Sequence, residues 1–202
     1  MEGLTETERQ ILAAYKATLA LPADDARLPA QIFLAPVGRV GAGKTTVVKP
    51  LAERLGLVRI SSDEIRRLLK ELGHDYKPLR SIARTLAFDL ARAGYGIAFD
   101  KDCANPETKA MIEEIAAERS ARVFWLHINP PEAFILNKLR TYDHTWLFKD
   151  AEQAVGNYFD QKRRRAEENT HIDYFAEIDP SRLDLPQQLA DVENRIRTAL
   201  GA

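Results

Sequence analysis

The chain has 202 residues, 29 of them Lys or Arg and 30 Asp or Glu, with a formal charge of −1, 45% hydrophobic residues and one cysteine, Cys103. That length suits one α/β domain spanning 1–202 with a well-buried core, and the balanced charge gives no global pull toward nucleic acid or an anionic membrane. A lone cysteine excludes an internal disulfide, and no apolar run approaches the ~20 residues of a membrane helix; with no signal-peptide pattern at the N-terminus, a cytoplasmic protein without a membrane partner is expected, its oligomeric state open.

From Thr5 to Leu21, Ile11, Leu12, Tyr15 and Leu19 fall at helical spacing and predict an amphipathic helix ahead of the first core strand. Pro22 to Pro29 reads as a loop, so that 1–30 forms an N-terminal addition. The apolar run from Gln31 then empties into Gly38-Arg39-Val40-Gly41-Ala42-Gly43-Lys44-Thr45-Thr46, which fits the P-loop spacing G-x-x-x-x-G-K-[ST] in its strand–loop–helix setting. Residues 38 to 46 are the candidate nucleotide site. The glycines let successive backbone N–H groups converge on phosphate, Lys44 brings a mobile charge to the β- and γ-phosphates, and Thr45 offers its hydroxyl to Mg²⁺. A helix starting near Gly43 turns its positive end toward the same anion. Pro50 lies inside that helix and should kink it or remove a backbone bond, away from the first turn.

Gly56 is a helix stop, and 57–61 reads as a short buried strand. It runs into Ser61-Ser62-Asp63-Glu64-Ile65-Arg66-Arg67, where Asp63 and Arg66 lie three residues apart on one helix face. Ser62 or Asp63 could serve simply as an N-cap, with the arginines solvated. In an open α/β sheet, however, ligands bind outside the carboxyl ends of the strands, the edge already marked by Gly38 to Thr45. A carboxylate there can accept the proton of an attacking hydroxyl or hold Mg²⁺ through water.

The P-loop followed about twenty residues later by Ser-Ser-Asp-x-x-Arg resembles the small P-loop kinases grouped with polynucleotide 5′-kinase, zeta toxins and chloramphenicol phosphotransferase, a pattern also carried by AAA family ATPase-like bacterial proteins. The resemblance covers roughly 31–140. It implies a P-loop NTPase fold with a five-stranded parallel sheet of order 2-3-1-4-5, helices on both faces and a helical lid. It also implies that Asp63 is the base for the acceptor hydroxyl, that Arg66 contacts the acceptor, and that the loop after the third strand lines the acceptor pocket.

Further along, Pro78 opens a helix that Gly94 stops, and 95–100 is the third strand, ending on Asp100 in the manner of a Walker B acid that holds Mg²⁺ in its outer shell. Asp100 is counted with Arg66 on the substrate side; Lys101, Asp102 and Cys103 follow at the same edge, with nothing but position to suggest a nucleophilic thiol. Asn105-Pro106-Glu107 starts another helix, 121–128 is an apolar fourth strand in which His127 is expected to pack, and Pro130-Pro131-Glu132 opens a helix to about Arg140. By the resemblance Arg140 is the lid arginine for the transferring phosphate, completing a catalytic set with Lys44 and Asp63.

Residues 141–171 are read as a lid or insertion. Three aromatics between Tyr142 and Phe148, with Lys162-Arg163-Arg164-Arg165 on a helix from about Asp150 to Glu168, would suit single-stranded nucleic acid. The acids Asp143, Asp150, Glu152, Asp160, Glu167 and Glu168 bring the balance near neutral and favour a solvated helical face. A fifth strand at 174–178, a turn at Asp179-Pro180-Ser181 and a closing helix from Pro186 to Leu200 finish the chain. Together these features point to transfer of the γ-phosphoryl of ATP, or of GTP, with Mg²⁺ to an unidentified hydroxyl acceptor: a nucleic-acid 5′-end, a sugar, an antibiotic or another metabolite. The alternative is a nucleotide-dependent switch with no acceptor, against which Asp63-x-x-Arg66 argues.

Overall fold

The computed structural model describes residues 4–141, 147–168 and 171–201. Five strands, β1 (Ile32–Val37), β2 (Val58–Ser61), β3 (Ile97–Asp100), β4 (Arg122–Ile128) and β5 (Ala176–Ile178), form one sheet of order β2-β3-β1-β4-β5 in which every pairing is parallel. The helices are α1 (Glu6–Lys16), α2 (Lys44–Arg54), α3 (Ser62–Glu71), α4 (Leu79–Arg92), α5 (Pro106–Arg119), α6 (Glu132–Arg140), α7 (Ala151–Glu168) and α8 (Leu185–Leu200). This is the P-loop NTPase fold with the expected strand order.

β1 lies at the centre of the sheet, and all six of its residues are buried because helices cover both faces. Its side chains divide by the two-residue period of a strand. Phe33, Ala35 and Val37 join Ile65, Leu86, Phe99 and Ile115 on the face covered by α1, α3, α4 and α5. Ile32 and Leu34 join Val47, Leu51, Ile135, Tyr158 and Ile196 on the face covered by α2, α6, α7 and α8. The sheet's carboxyl edge, where β1, β2 and β3 end, therefore opens between α3 on one side and α7 on the other.

Several boundaries differ from the sequence pattern. α1 ends at Lys16 because the Thr18 amide and hydroxyl both take the Tyr15 carbonyl, at 3.0 and 2.8 Å, which a continuing helix would give to Leu19. Its start carries a reciprocal capping box between Thr5 and Glu8. α2 runs as one helix through Pro50, whose missing N–H leaves the Thr46 carbonyl without its usual donor. It closes at Gly56, with φ 60° and the Leu57 amide bonded back to Ala52 O at 2.9 Å. α3 is capped by Ser61, whose hydroxyl accepts from the Glu64 amide. Neither Ser62 nor Asp63 is the cap.

Candidate active site

β1 delivers the chain into the loop 38–43 at the carboxyl edge. Gly38 has no room for a side chain: a Cβ there would stand 2.9 Å from the Ile128 carbonyl oxygen of β4. Gly43 caps α2 at φ 90°, a backbone state other residues rarely adopt, and no side chain bonds the helix's first-turn amides. Those amides are the donors that an anion at a helix N-terminus satisfies. Lys44 is folded along the loop, its ammonium donating to the carbonyls of Gly38 and Arg39, each at 2.9 Å. Burial pulls its pKa down, with Asp102 and Asp63 opposing that fall.

Beside Lys44, the Thr45 hydroxyl donates to Asp100 Oδ1 at 2.9 Å, which joins the P-loop to the end of β3. The other oxygen of Asp100 accepts from Arg59 Nη1 of β2 at 2.6 Å, and the Arg59 guanidinium also pairs with Glu64 on α3. Asp100 is only 5% exposed, and burial raises its pKa despite the bonds from Thr45 and Arg59. Thr45 and Asp100 are hard oxygen donors of the type Mg²⁺ takes. Among the described residues no group of three or more His, Cys, Asp or Glu converges as a metal cage.

One cleft of about 800 Å³ runs along this edge, lined on the P-loop side by Val40, Lys44 and Thr45 and across from it by Asp63, Arg66, Tyr76 and Lys101. Asp63 and Arg66, three residues apart on α3, are joined at 2.5 Å inside it. A second cavity of about 620 Å³ under residues 18–26 shares Arg59, Glu64 and Arg67 with the first but contains none of the P-loop glycines that face the phosphate edge. The P-loop lies in the former.

α7 reaches across the P-loop side. Gln161 accepts from the Val40 amide at 2.8 Å and donates to Asp102 Oδ2 at 3.0 Å, Asp102 in turn accepts from the Gly38 amide at 3.3 Å, and Arg165 pairs with Asp102. Arg39 leans over the Tyr158 ring, 5.8 Å from its centroid, and Tyr158 donates to Glu132 at 2.7 Å. The basic run on α7 is thus split. Lys162 and Arg163 pair at the surface with Glu132 and Asp160, as the solvated reading expects, whereas Arg165 turns inward and Arg164 lines the cleft. Four consecutive residues on a helix packed along one side cannot all face solvent, and the rotation of α7 decides which of them turn in.

Arg140 stands exposed at the end of α6, whose Lys138 and Leu139 are the residues that line the cleft. Tyr142 to Trp146 lie outside the described residues. Cys103 is fully buried and burial drives its thiol pKa far up, which leaves no reactive thiolate. His127 is not a core residue: its Nδ1 faces Glu177 at 2.8 Å and its ring stacks on Tyr174 at 4.5 Å, because the residue falls on a partly open position of β4.

Residues 34–169 match the AAA domain family. The chain belongs to this family. No curated protein matches it in sequence. In fold it is similar to the PezAT chromosomal toxin–antitoxin system of Streptococcus pneumoniae, with a TM-score of 0.57 and 18% identity over 100% of both chains. It is also similar to a shikimate kinase from Bacteroides thetaiotaomicron, at TM-score 0.54 and 16% identity over 86% of this chain and 99% of that one. A third similarity is to the Mycobacterium tuberculosis APS kinase in complex with AMPPNP and APS, at TM-score 0.52 and 17% identity over 83% of this chain and 99% of that one. No described helix is long and apolar enough to cross a membrane.

The sequence pattern missed Arg59 and Gln161, and it named Asp102, Arg165 and Tyr15 without the contacts they make here. Asp102 carried a signal, two residues beyond a Walker B-type acid; Gln161 and Arg165 carried none, since their register against the P-loop is set only by how α7 packs. Tyr15 is the clasp between the N-terminal helix and the site. Its hydroxyl accepts from the Ser61 amide at 2.9 Å, at the turn that leads into Asp63, and burial raises its pKa.

Proposed function

We propose that this protein is a phosphotransferase that uses ATP, or GTP, and Mg²⁺ to phosphorylate a hydroxyl group of an acceptor. The observation that carries the proposal is the shared cleft: Asp63 and Arg66 line the same 800 Å³ space as Lys44 and Thr45. A nucleotide switch has no use for a carboxylate and a guanidinium facing the phosphate edge from α3, whereas a kinase requires an acceptor side opposite its donor side.

In this reading the loop 38–46 holds the triphosphate through backbone amides, with the Lys44 ammonium leaving the Gly38 and Arg39 carbonyls for the β- and γ-phosphates. Thr45 and Asp100 are the residues that would hold Mg²⁺, and the ion would supply neutralising charge to the transferring group. Asp63 accepts the proton of the acceptor hydroxyl or positions it; Arg66 steers Asp63 through their 2.5 Å contact and touches the acceptor. Arg164, and Arg140 if α6 and α7 move together, supply positive charge to the phosphoryl group in flight. The domain assignment over 1–202, with 141–171 as a lid, belongs to the same proposal, and the fold neighbours that are kinases support it.

The test is turnover of γ-labelled ATP, then GTP, with panels of nucleic-acid 5′-ends, sugars, antibiotics and hydroxyl metabolites. Label transferred to one class establishes the kinase. Nucleotide hydrolysis at one rate whatever is added, with no labelled product, would instead favour the switch, for which the contact of Gln161 with the P-loop is the structural motive.

A further inference from the structure

The acceptor end of the cleft is lined by Asp63, Arg66, Arg67, Tyr76, Leu79 and Lys101. Its charges do not cancel. Arg66 spends Nη1 on Asp63, and the rest of its guanidinium fork has no partner among the described residues. Arg67 leans only loosely on Glu71, at 3.7 Å. Lys101 is half-buried at the end of β3, and its ammonium has one partner among the described residues, the neutral hydroxyl of Thr108 at 3.2 Å. No described carboxylate forms an ion pair with it.

A half-buried ammonium whose partner is a neutral hydroxyl, in a cleft also lined by Arg66 and Arg67, is a costly arrangement for a protein to hold. The neighbouring Asp102 does not neutralise it, being already held by Gly38, Gln161 and Arg165. The arrangement becomes favourable when an anion enters: an oxyanion would take the ammonium of Lys101 on one side and the free edge of Arg66 on the other. Tyr76, exposed and beside Leu79, offers an apolar wall for a carbon skeleton between that anion and Asp63.

We infer that the acceptor is an anionic compound, a hydroxyl-bearing molecule whose carboxylate or phosphate group is bound between Lys101 and Arg66 while its hydroxyl faces Asp63. This rests on the phosphotransferase reading for the hydroxyl, but the anion site itself does not. Neutral acceptors such as unmodified sugars would lack the group that these cations recognise.

The experiment has a binding arm and a turnover arm. With the donor site saturated by Mg·ADP, inorganic phosphate and acetate are titrated by calorimetry into the wild type, Lys101→Met, and Lys101→Gln, which can keep the bond to Thr108 should the methionine variant fold poorly. The expected result is one further anion site in the wild type, weakened roughly 10–100-fold in either variant. Preference for phosphate or for acetate names the oxyanion. In the turnover arm, hydroxy acids are paired with their methyl esters and nucleoside 3′-monophosphates with their nucleosides; the anionic member should be used and the neutral one not. Absence of the extra site in the wild type, the same affinity in the variants, or equal use of neutral partners would overturn the inference. An anion site found without phosphoryl transfer to any compound would uphold the site and remove the phosphotransferase reading instead.

Discussion

The side-chain carbonyl of Gln161 on α7 accepts the Val40 amide of the P-loop at 2.8 Å. Val40 lies in the stretch whose amides a triphosphate would use in the proposed function, so Gln161 and the nucleotide would compete for one donor. Gln161→Ala should therefore tighten Mg·ATP binding by roughly 2–10-fold, the worth of one ordinary hydrogen bond. Calorimetry decides the sign: weaker binding in the variant would make Gln161 a ligand of the nucleotide rather than a latch against it.

Lys44 is the donor-site test. Lys44→Ala removes the charge meant for the β- and γ-phosphates and should abolish nucleotide turnover. An alanine variant with the wild-type Mg·ATP affinity and rate would end the assignment of the P-loop as a working site.

Arg66 separates the two halves of the cleft. Arg66→Ala should raise the acceptor KM while leaving ATP affinity close to wild type, because its one described contact is to Asp63 and not to the P-loop. Equal losses on both substrates would move Arg66 to the donor side.

Asp63→Asn keeps the shape and the oxygen that faces Arg66 but removes the proton acceptor. Phosphoryl transfer should fall by roughly 10²–10⁴-fold with nucleotide affinity little changed. Stability should hardly move, since Ser61 and not Asp63 caps α3. A variant that transfers at the wild-type rate would leave the proposed chemistry without its base.

Arg59 makes a structural prediction. Its guanidinium is the cation facing Asp100, whose side chain is 3% exposed. Arg59→Met would strand that carboxylate in the core, at a cost of roughly 3–5 kcal/mol of stability, read by urea unfolding. A loss below about 1 kcal/mol would mean that Asp100 is protonated or reaches another partner in the folded chain.

The P-loop and the Asp63–Arg66 pair were legible in the sequence because each is local, and the strand order came only through the resemblance that those motifs carry. The glycines, Lys44 and Thr45 act through backbone conformation and spacing within nine residues, and Asp63 and Arg66 meet because three residues on a helix share a face. Alternating apolar runs and amphipathic stretches fix a parallel sheet with helices on both faces, and Phe33 and Leu34 show the two-residue period sorting side chains to opposite cores. What the tertiary structure alone decided are contacts between residues far apart in sequence. Gln161 reaches Val40 across 121 residues, Arg59 reaches Asp100 across 41, and Tyr15 reaches Ser61 across 46. None of these has a sequence signature, since a glutamine, an arginine or a tyrosine on an amphipathic element is ordinary until packing fixes its depth and rotation. The basic run on α7 carries the same lesson: composition favoured a solvated face, and the rotation of α7 against the sheet turned Arg165 onto Asp102 while leaving Arg163 in water.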